Sequence, residues 1–166
     1  MIIELGHYAL VLALATSLII SILPVIGARR GDAAMMAVAT TGTYALFLLV
    51  AFSFAVLTWG YVVSDFSEQN VYQNSHSLKP MIYKISGVWG NHEGSMLLWV
   101  LILALFSAMV AFFGTNLPDR LKANVLAVQA WITTAFTLFI LLTSNPFIRL
   151  SPIPAEGQDL NPVLQD

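Results

Sequence analysis

The sequence predicts an all-α integral membrane protein with four transmembrane helices, on three observations. Apolar residues make up 58% of the chain and charged residues only 10%. The apolar residues gather in four runs, each of the roughly 20 residues needed to cross a bilayer. None of those runs, at 5–27, 40–63, 95–114 and 123–144, contains Asp, Glu, Lys or Arg. An ordinary globular domain carries roughly 25% charged residues, and a small soluble domain exposes too large a share of its surface to hide so much apolar area. In hydrocarbon every backbone group has to be satisfied within its own segment, so long apolar runs without strand-like alternation read as helices.

The first run, 5–27, follows Met1-Ile2-Ile3-Glu4-Leu5, which carries an acid where a cleavable signal would carry basic residues. The run is also too long for a signal core, so it is expected to persist as the first spanning helix. Pro24 near its end predicts a kink in the last turn. The second run opens with Thr40, Thr41, Gly42 and Thr43, small residues that let helices approach closely. The long loop that follows, 64–94, sets Phe66, Tyr72, Tyr83 and Trp89 among polar residues, and loops of that length usually carry structure or function of their own. Trp59, Tyr61, Trp89 and Trp99 are expected in an aromatic belt at the membrane–water interface. Beyond the fourth run, Pro146, Pro152 and Pro154 remove backbone donors and favour extended chain, so the tail 145–166 is expected to leave the membrane. From Glu156 onward no hydrophobic periodicity is present to anchor it. The stop at Leu164-Gln165-Asp166 reads as an interruption.

Four of the seven basic residues, Arg29, Arg30, Arg120 and Lys122, fall in the two short connections 28–39 and 115–122. The much longer remaining polar parts hold only Lys79, Lys84 and Arg149. By the positive-inside bias the short connections face the cytoplasm, which puts both termini and the 64–94 loop on the outer side.

Several chemistries are excluded. With no cysteine, the chain has no disulfide, thiolate metal site or thiol nucleophile of its own. A net charge of −2 offers no basic surface to nucleic acid. No histidine pair has zinc spacing, and neither a nucleophile elbow nor a phosphate loop is present. Charge-free spans also argue against a transporter, whose midplane normally holds ionisable groups or broken helices.

The most chemically suggestive stretch is Trp89-Gly90-Asn91-His92-Glu93-Gly94-Ser95-Met96-Leu97-Leu98-Trp99. A helix starting here brings His92, Met96 and Trp99 onto one face. Two readings stand side by side. In one, Asn91 caps the third helix and Glu93 complements its positive end. In the other, Trp89, His92 and Glu93, with Trp99 nearby, form a platform for a planar aromatic cofactor or a partner. The other two histidines read as structural or solvated: His7 at the end of the first helix, where it can snorkel, and His76 among turn-forming neighbours. No metal site is expected.

That stretch resembles the W-G-x-H-E-G-S-x-L-L-W element of the CcmF family of cytochrome c-type biogenesis proteins, which act in the haem lyase complex. Other stretches agree in order: Arg30-Gly31-Asp32-Ala33 with Met35-Met36, Ser64-Asp65-Phe66, Thr143-Ser144-Asn145-Pro146-Phe147, and 156–166 with the family's E-G-x-D-L-N-P-x-L-Q-D. The resemblance covers the whole sequence but only the N-terminal part of the family. It implies a bacterial inner-membrane protein whose complete form takes haem from the haem chaperone CcmE, works with CcmH/CcmI-type apocytochrome-handling subunits, and helps join haem to the C-x-x-C-H cysteines of apocytochrome c. It also implies a structural haem b. The family's haem-handling WWD region and haem-ligand histidines lie outside this sequence, so their roles do not transfer to His7, His76 or His92, and no catalytic residue is expected here. A structural assembly subunit without cofactor contact is the competing expectation.

Overall fold

The computed structural model describes residues 2–159. Six α-helices follow one another: α1 (Ile2–Arg30), α2 (Ala33–Val63), α3 (Gln69–Asn74), α4 (Met81–Gly87), α5 (His92–Phe113) and α6 (Asp119–Thr143), with a 3₁₀ turn at Gly114–Asn116. Four of them, α1, α2, α5 and α6, are long and apolar enough to cross a membrane. They pack as a bundle in which α1 lies against α2 and α6, and α5 against the same two helices. One end of the bundle carries α3, α4 and the extended chain after α6, and is called the cap end below.

Each of these four long helices starts before the apolar run that predicted it. The connection expected at 28–39 shrinks to Gly31 and Asp32: Gly31 takes a left-handed φ of 71°, and the Asp32 carboxylate accepts from the Ala34 and Met35 amides at 2.9 and 3.1 Å. Hydropathy underestimates helix length here because polar end residues are good helix formers, and Arg29 and Arg30 suit the negative end of α1. Pro24 is buried within α1, which continues to Arg30, so the proline does not end the helix. α6 likewise starts at Asp119, directly behind Pro118.

The bundle interior is built from Leu10, Ala13, Ile20, Leu46, Val50, Leu57, Leu97, Val100 and Ile140. Gly42 serves the close approach its small-residue neighbourhood predicts, since a Cβ there would stand 2.7 Å from the Ile20 side chain. Polar side chains also join helices: Thr134 Oγ1 donates to Ser17 Oγ at 2.8 Å, and Trp131 Nε1 to the Ser21 carbonyl at 2.7 Å. At the end away from the cap, Lys122 Nζ donates to the Ala111 carbonyl at 2.6 Å, supplying a cation to the last turns of α5.

The loop 64–94 does carry structure of its own, in α3 and α4. The chain after α6 crosses it in extended form, joined by bonds from Gln69 N to the Ile148 carbonyl and from Leu150 N to the Ser67 carbonyl, both 2.8 Å. The tail's expected lack of anchorage is corrected for 156–159. Ser77 donates to both oxygens of Glu156 through N and Oγ, at 3.0 and 2.6 Å. Gln158 N donates to the Tyr72 carbonyl at 2.8 Å, and Lys79 pairs with Asp159. The anchor is polar, which hydrophobic periodicity does not register. The family-like residues 160–166 lie outside the described residues.

Candidate functional site

At the cap end the stretch beginning at Trp89 folds around one amide. α4 ends at Gly87, three turn bonds carry the chain from Val88 to Gly90, and Asn91 adopts extended backbone as the N-cap of α5. Its Oδ1 accepts from Gly94 N at 2.8 Å, while its Nδ2 donates to the Gly87 carbonyl at 2.9 Å and the Val88 carbonyl at 3.2 Å. The same side chain reaches α2 and α3. Asn91 Nδ2 donates to Tyr61 Oη at 2.9 Å, Tyr61 Oη donates to Asn70 Oδ1 at 2.7 Å, and Asn70 Nδ2 donates to Asn91 Oδ1 at 2.9 Å. Three helices therefore meet in a closed ring of side-chain hydrogen bonds. Tyr61, expected in an interfacial belt, is fully buried in this ring, and the correction has a plain cause: its hydroxyl finds two amide partners inside the protein.

Gly94 admits no other residue without rearrangement, because a Cβ there would fall 1.6 Å from the Val88 carbonyl oxygen. The turn before α5 can fold back on the first turn of α5 only at a glycine.

The four candidate residues do not share one surface. Glu93 turns toward α3, where it accepts from Asn70 Nδ2 at 3.3 Å, and helps to line a small polar cavity of about 170 Å³ with Gln69, Gln73, Ser144 and Asn145. Trp89 and His92 are exposed, and so is Trp99, two turns along α5 from His92. Gly94, Leu97 and Val100 occupy the buried face of α5, Met96 is partly buried against the bundle core, and only His92 and Trp99 of the expected face are exposed. The cap at Asn91 forms, while of the three platform residues Trp89 and His92 are exposed and Glu93 is drawn to α3.

The other histidines are engaged locally. His7 Nδ1 lies 3.4 Å from Asn145 Nδ2 and its ring meets Phe147 edge-on. His76 Nδ1 accepts from Leu78 N at 3.2 Å. In both rings the contact is made at Nδ1, which fixes the imidazole's orientation and assigns no haem ligand. Among the described residues no group of three or more His, Asp or Glu is placed to hold a metal ion.

Two buried charged residues escape sequence reasoning. Lys84 is buried and donates to Ser64 Oγ at 2.7 Å, where Ser64 caps the C-terminus of α2. A cation at that end complements the helix dipole. Glu68 has no exposed surface, and its carboxyl is pushed up to about 9 by burial, with the Asp65 charge adding to the shift. Nothing in Ser67-Glu68-Gln69-Asn70 marks it as buried, since such a polar run reads locally as solvated. Around it, Arg149 pairs with Glu4 at 2.8 Å and Asp65 at 3.3 Å and also bonds Ser67.

Known proteins resemble this chain in sequence and in fold. A family model described as Cytochrome C assembly protein matches residues 89–166, beginning at Trp89 itself. The cytochrome c-type biogenesis protein CycK of Rhizobium meliloti is 74% identical over all of this chain. The corresponding CcmF of Escherichia coli is 45% identical over 98% of it. A solved structure, "Cytochrome c Heme Lyase CcmF", matches 92% of this chain and 26% of its own with a TM-score of 0.82 and 27% sequence identity. The chain spans about a quarter of the length of the curated relatives it matches, 25% in both cases.

Proposed function

Because the chain belongs to the CcmF family of cytochrome c-type biogenesis proteins, we propose that it forms the N-terminal membrane portion of a haem lyase subunit for cytochrome c maturation. On this reading residues 1–166 act as a scaffold. The complete protein receives haem from the chaperone CcmE and, with CcmH/CcmI-type subunits, presents it to apocytochrome c. The structural haem b implied by the family is held by histidines outside these residues. The protein lies in the bacterial inner membrane with the cap end periplasmic, which the basic residues of the short connections support.

The observation that carries the reading is the Asn91 ring. The stretch that resembles the family's W-G-x-H-E-G-S-x-L-L-W element is the one that locks α2, α3 and α5 together, and it leaves Trp89, His92 and Trp99 exposed on the cap side. Asn91, Tyr61, Asn70 and Gly94 build the platform, while the exposed three contact the haem-handling part or a partner. Glu93 belongs with the builders, through Asn70.

Complementation tests this. The full-length protein carrying Trp89→Ala, His92→Ala or Trp99→Ala is expressed in a strain lacking the subunit, and covalently bound haem in cytochrome c is stained. The contact role predicts normal membrane accumulation with reduced maturation in at least one variant. Full maturation by all three refutes it and leaves a purely structural assembly role, which the packing of Asn91 and Gly94 independently favours. Cysteine labelling at Leu78 from the periplasmic side tests the orientation, and labelling only from the cytoplasmic side overturns it.

A further inference from the structure

Glu68 is a buried acid that no part of the scaffold reading uses. It has no exposed surface, and neither carboxyl oxygen has a hydrogen-bond partner. Its Oε2 occupies the space beside Gly60, 2.6 Å from where a Cβ on that residue would stand, and Ile3 of α1 and Val71 of α3 bound the same space. The charged and titratable groups that act on it or feel it are Glu4 on α1, the Tyr61 hydroxyl on α2, Asp65 in the turn after α2, and Arg149 on the extended chain after α6.

Arg149 does not neutralise Glu68 in this arrangement, because its guanidinium is engaged with Glu4, Asp65 and Ser67. A carboxylate left unpaired in such a place carries a far larger desolvation cost than the neutral acid does. The two backbone bonds that hold segment 148–150 to residues 67–69 lie on either side of Glu68 in the chain. The group thus sits under the seam that seats the tail.

We propose that Glu68 is a proton-held latch: as the neutral acid it closes the junction of α1, α2 and segment 148–150, and as the carboxylate it leaves the Gly60 pocket, takes Arg149 from Glu4 and Asp65, and loosens that seam. The proton passes to solvent and returns from it. The folded state binds this proton more tightly than the unfolded chain does. The latch's contribution is therefore full below the ordinary carboxyl value of 4.5 and drains away as pH rises to about 9.

The test compares the intact protein in lipid nanodiscs with its Glu68→Gln variant, which keeps an uncharged side chain of the same length. Glu68→Met serves the same comparison if the first variant fails to accumulate. The infrared difference spectrum at neutral pH is expected to show a protonated, buried carboxyl band that disappears with Glu68. Amide hydrogen exchange at Gln69 and Leu150, corrected for the intrinsic rate, should lose about tenfold or more of its protection in the native protein between about pH 6 and about pH 10, and should stay level in the variant. Absence of the band at neutral pH, or an equal loss of protection in both proteins, overturns the latch.

Discussion

Asn91 donates to the hydroxyl of Tyr61 at 2.9 Å across 30 residues of sequence, and this one bond joins the start of α5 to the buried last turn of α2. Asn91→Ala removes the helix cap and strips partners from Tyr61 and Asn70 together. A lost cap costs about 1 kcal/mol, and each hydrogen bond lost from Tyr61 and Asn70, which keep their other partners, about 0.5–1.5 kcal/mol. The expected loss is about 2–4 kcal/mol, read as a fall in the unfolding midpoint of the protein in detergent. Tyr61→Phe should lose roughly half as much, since the cap survives.

Gly94 and His92 are two residues apart and should respond in opposite ways. Gly94→Ala forces the Val88 carbonyl away from a Cβ only 1.6 Å distant, which exceeds the relief flexible side chains give and lies at or beyond the about 1–3 kcal/mol of ordinary overpacking. His92→Ala changes an exposed position, where effects usually stay within about 0.5 kcal/mol. Membrane abundance at 37 °C separates them, with Gly94→Ala depleted and His92→Ala at the native level.

The seat of the tail should weaken in acid. Hydrogen bonds from Ser77 Oγ, Gly157 N and Ser77 N hold the exposed Glu156 carboxyl down at about 2, against an ordinary 4.5. A depressed acid stabilises above its ordinary value and loses that contribution as pH falls through the depressed one. Exchange protection at Gln158, whose amide bonds Tyr72, should therefore fall as pH drops from 4.5 to about 2. In Glu156→Gln that dependence disappears.

Arg149 joins α1 to the turn after α2 through Glu4 and Asp65. Its side chain is about a third exposed, at 34%, so solvent screening limits the pair to about 1 kcal/mol or less. Arg149→Met should shift the unfolding midpoint only slightly, and added salt should shrink the difference between the two proteins further.

The four long apolar helices, each long enough to cross a membrane, were legible because 20 charge-free apolar residues in hydrocarbon admit essentially one backbone solution, and the cap at Asn91 was legible because an N-cap is a local arrangement. Their ends were not, since Arg29 and Arg30 continue α1 by propensity and Asp32 caps α2 where hydropathy has already stopped. What only the tertiary structure decided is which polar residues the cap end buries. Tyr61, Asn70 and Asn91 form a ring because three separate helices converge, and Glu68 loses its water because α1 and the chain after α6 close over it. Burial of that kind depends on contacts between residues as far apart as Glu4 and Arg149, which no local window of sequence contains.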